Sequence, residues 1–580
     1  MNILFFSPYS YFDVHAVPEL IVANSIYHKK NRVIRAYCNG LFKNYCLAMT
    51  GVDFNDIDKK KDICKICKQN NKQIIKKTEI ENISIDDFCD EKDKLLIDRI
   101  LNNINFDDII NFEFENVPIG RFSLYEFLLT YKLSSLNVPI EKVNEAIEHL
   151  RNSLYTCIAI EKIISRYKLD RFVTYNMLYS TNRTAQHVCE RNQIPSFTLH
   201  AGYHSNRGKM LQLMTIFKGI NPAARIHKNE MVRKYRESPI PQKKFETLKL
   251  NCREYILAKS PWVYSIATKK INSCLLKQKL GIQEGQKVVL AVMRSEDEIF
   301  AAETSGVYID KSIGLFSNQK QWAVWLNEFA RKNPSFFVIF RLHPREFPNK
   351  REKILSQNAK DWAEFHAGFH SSSNFFVNVP EHNLALSDIF KVADLVLNNS
   401  SSAGLEANLF GIPVLGYGQN LAPFDSYLQL EPTSIEEYEY LIRKLSFESW
   451  RFERVIYAMR WLNYLISEVS IDISDVYINL NFDSSVFMRL TNKIKRLLFK
   501  FLHISSPSLV INSRLPREIE KLSFAILYNE ESHIGFFKAE IGDERAEYDF
   551  IRKDLLERAA LISDADDLDF LKRIDLCLKN

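Results

Sequence analysis

Residues Ala393 to Gly418, ADLVLNNSSSAGLEANLFGIPVLGYG, constrain this chain more than any other stretch, because they spell strand, polar turn, helix, tight turn and strand in one short span. Leu395 to Leu397 form an apolar run stopped by Asn398 and Asn399, the pattern of a buried parallel strand ended by turn chemistry. Ser400, Ser401, Ser402 and Gly404 then offer hydroxyls and backbone N–H groups at the start of a helix through Leu405, Ala407, Leu409 and Phe410. A helix start is electropositive, so this is an anion cradle. Gly411 suits a left-handed cap, and Pro413 stops the helix so that Val414 and Leu415 open the next strand. Glu406, one turn into the helix, can accept hydrogen bonds from ribose hydroxyls. The competing reading is a well-capped crossover without a ligand.

The stretch upstream strengthens the ligand reading. Phe336 to Phe340, FFVIF, is a fully apolar run that ends in Arg341-Leu342-His343-Pro344-Arg345-Glu346. Such a strand places cationic and imidazole groups at its carboxyl end, where open parallel sheets bind ligands. Pro344 alone would explain a simple turn, since it forces its predecessor into extended backbone. The flanking Arg341 and Arg345 favour phosphate recognition. Val288 to Met293 is a second buried strand, with Arg294 and Ser295 at the end where a donor phosphate would lie.

Taken in order, RLHPRE and NNSSSAGLEANLFGIPVLGYG resemble the His-Pro and Ser-rich motifs of bacterial surface-polysaccharide glycosyltransferases of GT-B type. Related groups are those of capsule biosynthesis, the Kdo-transferases, the polysialyltransferase-like enzymes and, more distantly, the CDP-glycerol glycerophosphotransferases. The resemblance is best over Lys287 to Gly418, weaker over the first two hundred residues and absent after Asp483. It implies that His343 and the serines bind the donor's phosphate and that Glu406 holds its ribose or base. It also implies an α/β fold of two Rossmann-like domains with a cleft between them, plus a mostly helical C-terminal extension. CMP-activated sugars such as Kdo or sialic acid are favoured on this resemblance alone.

At 580 residues the chain is too long for a single core. The expected division is 1–275, an acceptor domain with a Cys-containing insertion; 284–480, a nucleotide-sugar domain; and 481–580, an extension. No apolar run approaches the roughly 20 residues of a membrane-spanning helix, and the N-terminal NILFFS reads as a first strand rather than a secretion signal. The expected location is cytoplasmic, peripheral on the inner face of the membrane. A net charge of +6 with no concentrated basic stripe argues against nucleic acid and suits an anionic donor.

Along the chain, the Asn2–Ser7 strand leads through the loop Pro8–His15 to a helix, the opening of a doubly wound sheet. In the enzymes this chain resembles, that loop faces the cleft, which makes His15 and Asp13 candidate bases; an imidazole in a loop titrates near neutrality. An exposed or capping histidine is the alternative. The strand Pro195–Leu199 ends in His200, so His200, His204, Asn176 and Arg207 are acceptor-side or catalytic candidates. Cys38, Cys46, Cys64 and Cys67 follow a C-x7-C-x17-C-x2-C spacing that admits structural zinc, buried thiols or an iron–sulfur cluster. Lys59–Asp108 reads as a solvated helical insertion and Leu248–Lys279 as a helical bridge. Met488–His503 is a basic amphipathic helix suited to an anionic membrane surface or to docking on its own domain.

The sequence therefore predicts a glycosyltransferase that moves a sugar from a nucleotide-activated donor to a surface polysaccharide or lipid-linked glycan, with no catalytic metal. A CDP-alcohol-dependent phosphotransferase on the same fold and a non-catalytic glycan-binding subunit are the alternatives.

Overall fold

The computed structural model describes residues 1–220, 235–260, 263–307, 314–349, 353–417, 427–474, 517–534 and 540–580. Gly418 and the expected amphipathic helix Met488–His503 lie outside the described residues.

The first half opens as β1 (Asn2–Phe6), α1 (Asp13–Tyr27), β2 (Arg32–Tyr37), α2 (Ile57–Lys77) and β3 (Glu81–Ser84). The helix Val143–Tyr167 leads to β4 (Arg171–Tyr175), and the helix Ser180–Arg191 to β5 (Ser196–Ala201). These five strands are mutually parallel in the order β3-β2-β1-β4-β5. β6 (Leu213–Lys218) extends the sheet antiparallel beyond β5, and β12 (Ile471–Asp472) pairs antiparallel with β6. Strand residues alternate between the two covered faces: Leu4 and Phe6 enter one core, Ile3 and Phe5 the other. With both faces buried, an unbroken apolar run is the expected pattern for a parallel strand.

Two expectations change here. The lysine-rich stretch beginning at Lys59 is not an insertion, since α2 is the crossover between β2 and β3 of the sheet. It buries a single narrow face, Ile63, Asn70, Asn71 and Ile74, and leaves its lysines outward. His15 lies in the first turns of α1 rather than in the preceding loop.

The second half holds β7 (Lys287–Val292), β8 (Phe336–Arg341), β9 (Phe375–Asn378), β10 (Leu395–Asn398) and β11 (Val414–Gly416). They are all parallel, in the order β11-β10-β7-β8-β9. Counted within its own half, each sheet runs third, second, first, fourth, fifth, the Rossmann-like order, with its ligand crevice beyond the carboxyl ends of the strands. The helix Gln319–Lys332 covers one face and buries Trp322 completely. Leu248–Lys279 is not a continuous bridge: the helices Phe245–Ile256 and Ser273–Leu280 flank an irregular connection.

The described C-terminal helices join both halves rather than a core of their own. Arg517–Tyr528 contributes Ile519, Leu522 and Ile526 to the core around α1. Glu544–Ile562 and Leu568–Lys579 contribute Leu555, Phe570 and Cys577 to the core of the second half. Two Rossmann-like units with a cleft between them, completed by C-terminal helices, constitute an α/β fold of GT-B type.

Candidate functional site

The carboxyl end of β8 is shaped by one dipeptide. His343 has extended backbone (φ −70°, ψ 124°) ahead of Pro344, and the turn Pro344–Glu346 follows. The N–H of Arg345 donates to Nδ1 of His343 at 3.3 Å. With Nδ1 accepting, the neutral ring carries its proton on Nε2; His343 lines a small cavity of about 40 Å³. Burial, then Arg345, Arg341 and Lys132, push the imidazole pKa down to about 3, so the ring is neutral at physiological pH.

The same cavity is lined by Arg341, Tyr264, Ser265, Ser401, Ser402 and Glu406. Arg341 is buried and donates to Leu384 O at 3.1 Å, to Ser265 Oγ at 3.2 Å and to Asn378 Oδ1. Ser402 donates to Glu406 Oε1 at 3.2 Å. Burial lifts the Glu406 carboxyl to about 8 against the pull of Ser402 and Arg341, so the group is mostly protonated at neutral pH.

The serine loop enters from β10. Asn398 anchors it by accepting the Ser401 N–H at 3.1 Å while donating to Gln429 at 2.7 Å. Ser400 takes a left-handed backbone (φ 54°), and its hydroxyl is buried without a hydrogen-bond partner. The helix that follows spans only Ala403–Asn408 before Gly411 adopts the expected left-handed turn (φ 83°). A helix that short contributes little macrodipole. The polar groups offered here are the serine hydroxyls, His343 and Arg341.

Ser401 and Ser402 also line a second, larger chamber of about 370 Å³ that opens toward the first half. Its other walls include Asn176 and His200 at the ends of β4 and β5, with Tyr255, Leu405 and Leu465 supplying an apolar floor. Nδ1 of His200 lies 3.0 Å from the carbonyl oxygen of Ala201, a geometry that puts the proton on Nδ1 and leaves Nε2 as a lone-pair acceptor. Burial lowers its pKa. Behind it, Tyr175 stacks on His200 at 5.9 Å between ring centroids and on His15 at 4.2 Å.

The structure thus brings together His200, Arg341, His343, Ser400, Ser401, Ser402 and Glu406 around two adjoining cavities. Gly404 packs behind the loop, where an added Cβ would lie 2.5 Å from Asn398 Nδ2. His15 lines neither cavity; burial and His200 depress it to about 3, well below the near-neutral titration expected of a loop histidine. Asp13 is the first residue of α1 and likewise lines neither. Arg345 is buried in an ion pair with Asp297 at 2.8 Å, Ser295 donates to the same Asp297, and Arg294 lies 3.6 Å from Glu296. Arg345 and Ser295 meet at Asp297 beside the His-Pro turn, and none of the three lines the cavities. His204 lines a different cavity, about 590 Å³, beside β12 and Lys243, away from the parallel strand ends. The Arg207 side chain lies outside the described set. Tyr264 and Ser265 come from the irregular connection between the halves, where no periodicity marks them in advance.

Cys38, Cys46, Cys64 and Cys67 line one further small cavity beside α2. Among the described residues, no group of three or more His, Cys, Asp or Glu side chains is placed to hold a metal ion.

No family model matches the chain. No curated protein matches it either. Among solved structures it is similar to KpsC of Thermosulfurimonas dismutans, a beta Kdo 2,4 transferase, at 14% identity over 50% of this chain and 79% of that one, with a TM-score of 0.29. It is similar to WaaG, a glycosyltransferase involved in lipopolysaccharide biosynthesis, at 13% identity over 85% and 99% of the two chains, TM-score 0.23. A UDP-GlcNAc 2-epimerase from Neisseria meningitidis bound to UDP-GlcNAc gives 13% identity over 79% and 97%, TM-score 0.23. Likenesses of this size bear on neither substrate nor reaction, and the fold rests on the strand order of the two sheets.

Proposed function

We propose that this chain transfers a sugar from a nucleotide-activated donor to a glycan acceptor. The supporting observation is the shared wall: Ser401 and Ser402 border both the small cavity lined by His343, Arg341 and Glu406 and the larger chamber bordered by His200. In this reading the donor's phosphate lies against the serine hydroxyls, the Nε2–H of His343 and the Arg341 charge. Glu406 takes the ribose hydroxyls. The acceptor hydroxyl approaches through the chamber and gives its proton to Nε2 of His200 as its oxygen attacks the anomeric carbon. The bond from that carbon to the phosphate oxygen breaks, and the departing nucleotide keeps the electron pair, stabilised by hydrogen bonds already in place.

A CMP-sugar is the first donor to test, and a surface polysaccharide or its lipid-linked precursor the first acceptor, with the enzyme working at the inner face of the membrane. No described helix is long and apolar enough to cross a membrane. The deciding experiment is a thermal-shift panel of CMP, CDP, UDP, GDP and dTDP on the full chain. A ligand at a hundred times its dissociation constant stabilises by about 2.7 kcal/mol. Stabilisation by one nucleotide that disappears in His343→Ala supports the reading; no stabilisation by any of them overturns it and favours a glycan-binding subunit. Product analysis then separates sugar transfer from phospho-alcohol transfer.

A further inference from the structure

One wall of the larger chamber is a single face of a strand pair. β5 and β6 run antiparallel, and alternate residues along each strand point to opposite sides. Phe197, Leu199, Met214 and Ile216 enter the core around α1, while Thr198, His200, Thr215 and Phe217 line the chamber. On that second face His200 is paired directly with Thr215. Side chains opposed in this way stand about 5 Å apart at Cβ, so Thr215 is the immediate neighbour of His200.

Two hydroxyls on the chamber wall are left over. Thr215 is 1% exposed and its Oγ1 has no hydrogen-bond partner among the described residues, nor has the buried Oγ of Ser400. A buried hydroxyl without a partner is destabilising, and valine would suit a strand at position 215 without that penalty. Ser400 adds a left-handed backbone (φ 54°) that glycine adopts at lower cost. Unmet polarity and backbone strain of this kind collect where a ligand supplies the missing contact. Ser400 lines the chamber but not the small cavity of His343, which sets it apart from Ser401 and Ser402. The remaining wall offers little to a polar ligand: Met177, Phe217, Leu405 and Leu465 are apolar and buried, and the Thr198 hydroxyl is already spent on the carbonyl oxygen of Gly219 at 2.8 Å. A sugar hydroxylated all round would lose water here for few partners in return.

We infer that the chamber binds an amphipathic acceptor, a sugar joined to an apolar group, and that Thr215 and Ser400 are the residues that position its polar edge beside His200. The apolar group lies against Met177, Phe217, Leu405 and Leu465, and the two hydroxyls bond the sugar from opposite halves, one on β6 and one past the end of β10. Together they select which hydroxyl of the sugar meets Nε2 of His200. A chamber of about 370 Å³ is of the size that takes a small organic ligand. Calling that ligand an acceptor rests on the transfer reading above; its binding does not.

The test is calorimetric titration of the full chain with the octyl and methyl β-glycosides of glucose, galactose and N-acetylglucosamine, below the micelle concentration. At least one octyl glycoside should bind about tenfold or more tightly than its methyl counterpart, since the alkyl chain is buried. Thr215→Val should weaken that binding about tenfold and yet raise the unfolding temperature of the unliganded protein by about 1 °C, because an unpaired hydroxyl has gone. Ser400→Gly should do the same. A residue with only a structural role would not gain stability and lose ligand together. Nucleotide stabilisation should persist in Thr215→Val. Equal affinity for octyl and methyl glycosides, no binding by any of them, or full octyl-glycoside affinity in Thr215→Val overturns the assignment. Glycoside binding by a chain that no nucleotide stabilises upholds the chamber and removes the transfer reading, so the two fail separately.

Discussion

His343 and His200, on opposite halves of the molecule, hold opposite ring tautomers around the same serine loop: Nδ1 of His343 accepts an N–H, whereas Nδ1 of His200 meets a carbonyl oxygen. One ring therefore offers an Nε2–H donor and the other an Nε2 lone pair. On the proposed reading, in which His343 donates to the leaving group, His343→Ala should lower turnover by about 10²–10³-fold and abolish nucleotide stabilisation. His343→Gln, which restores an N–H near the same place, should recover part of both. His200→Ala should lower turnover by about 10²–10⁴-fold while leaving nucleotide stabilisation intact. Steady-state kinetics and thermal shift on the three variants check this; loss of nucleotide binding in His200→Ala would place that ring on the donor side.

Glu406 titrates at about 8 in the folded chain against an ordinary value of 4.5. The native state then holds a proton that the unfolded chain releases. The contribution of Glu406 to stability is fully present below the ordinary carboxylate range and is lost as pH rises toward 8. Glu19 and Glu346 are also raised, to about 7, so the difference between wild type and Glu406→Gln isolates this one group. That difference should shift in favour of the variant between pH 5 and 8 in urea unfolding. If Glu406 takes the ribose hydroxyls as proposed, nucleotide affinity should tighten over the same interval in wild type, as the carboxylate ionises, and should be flat in Glu406→Gln.

Gly404→Ala forces a methyl group to within 2.5 Å of Asn398 Nδ2, whose side chain is fixed by Gln429. Overpacking of this kind costs about 1–3 kcal/mol. The expected result is a lower unfolding midpoint together with weaker nucleotide binding, because Asn398 also holds the N–H of Ser401.

Lys391 is fully buried between Asp388 at 3.6 Å and Asp567 at 3.2 Å, and Asp567 also accepts the N–H of Ser273 at 3.2 Å. Asp567→Ala leaves a buried cation short of a partner and should cost about 3–5 kcal/mol in equilibrium unfolding. Lys391→Met in the same background should return part of that loss.

The strands Val288–Met293 and Phe336–Phe340 are legible in the sequence because sheets buried on both faces require unbroken apolar runs. β3, with the sequence ENIS, is not, since it is a four-residue edge strand paired only with β2. The serine loop and the His-Pro turn are legible because their local chemistry constrains the backbone: Gly411 takes its left-handed turn and Pro344 its extended predecessor. The partner of Arg345 is not, because Asp297 lies 48 residues away and meets it only after β7 and β8 pair. The titration of His15 is hidden for the same reason, as it depends on burial and on His200, far along the chain.

Ser25 and Ser523 share a 2.7 Å hydrogen bond across 498 residues of chain, and the space above Gly411 is filled by the sulfur of Cys577. During synthesis, then, the first sheet emerges with one side of α1 bare, and the second with its inner face open, until the closing helices leave the ribosome. Each half has to wait for segments made long after its own strands, and contacts so distant in sequence are slow to form. Either half expressed alone should expose these surfaces and aggregate.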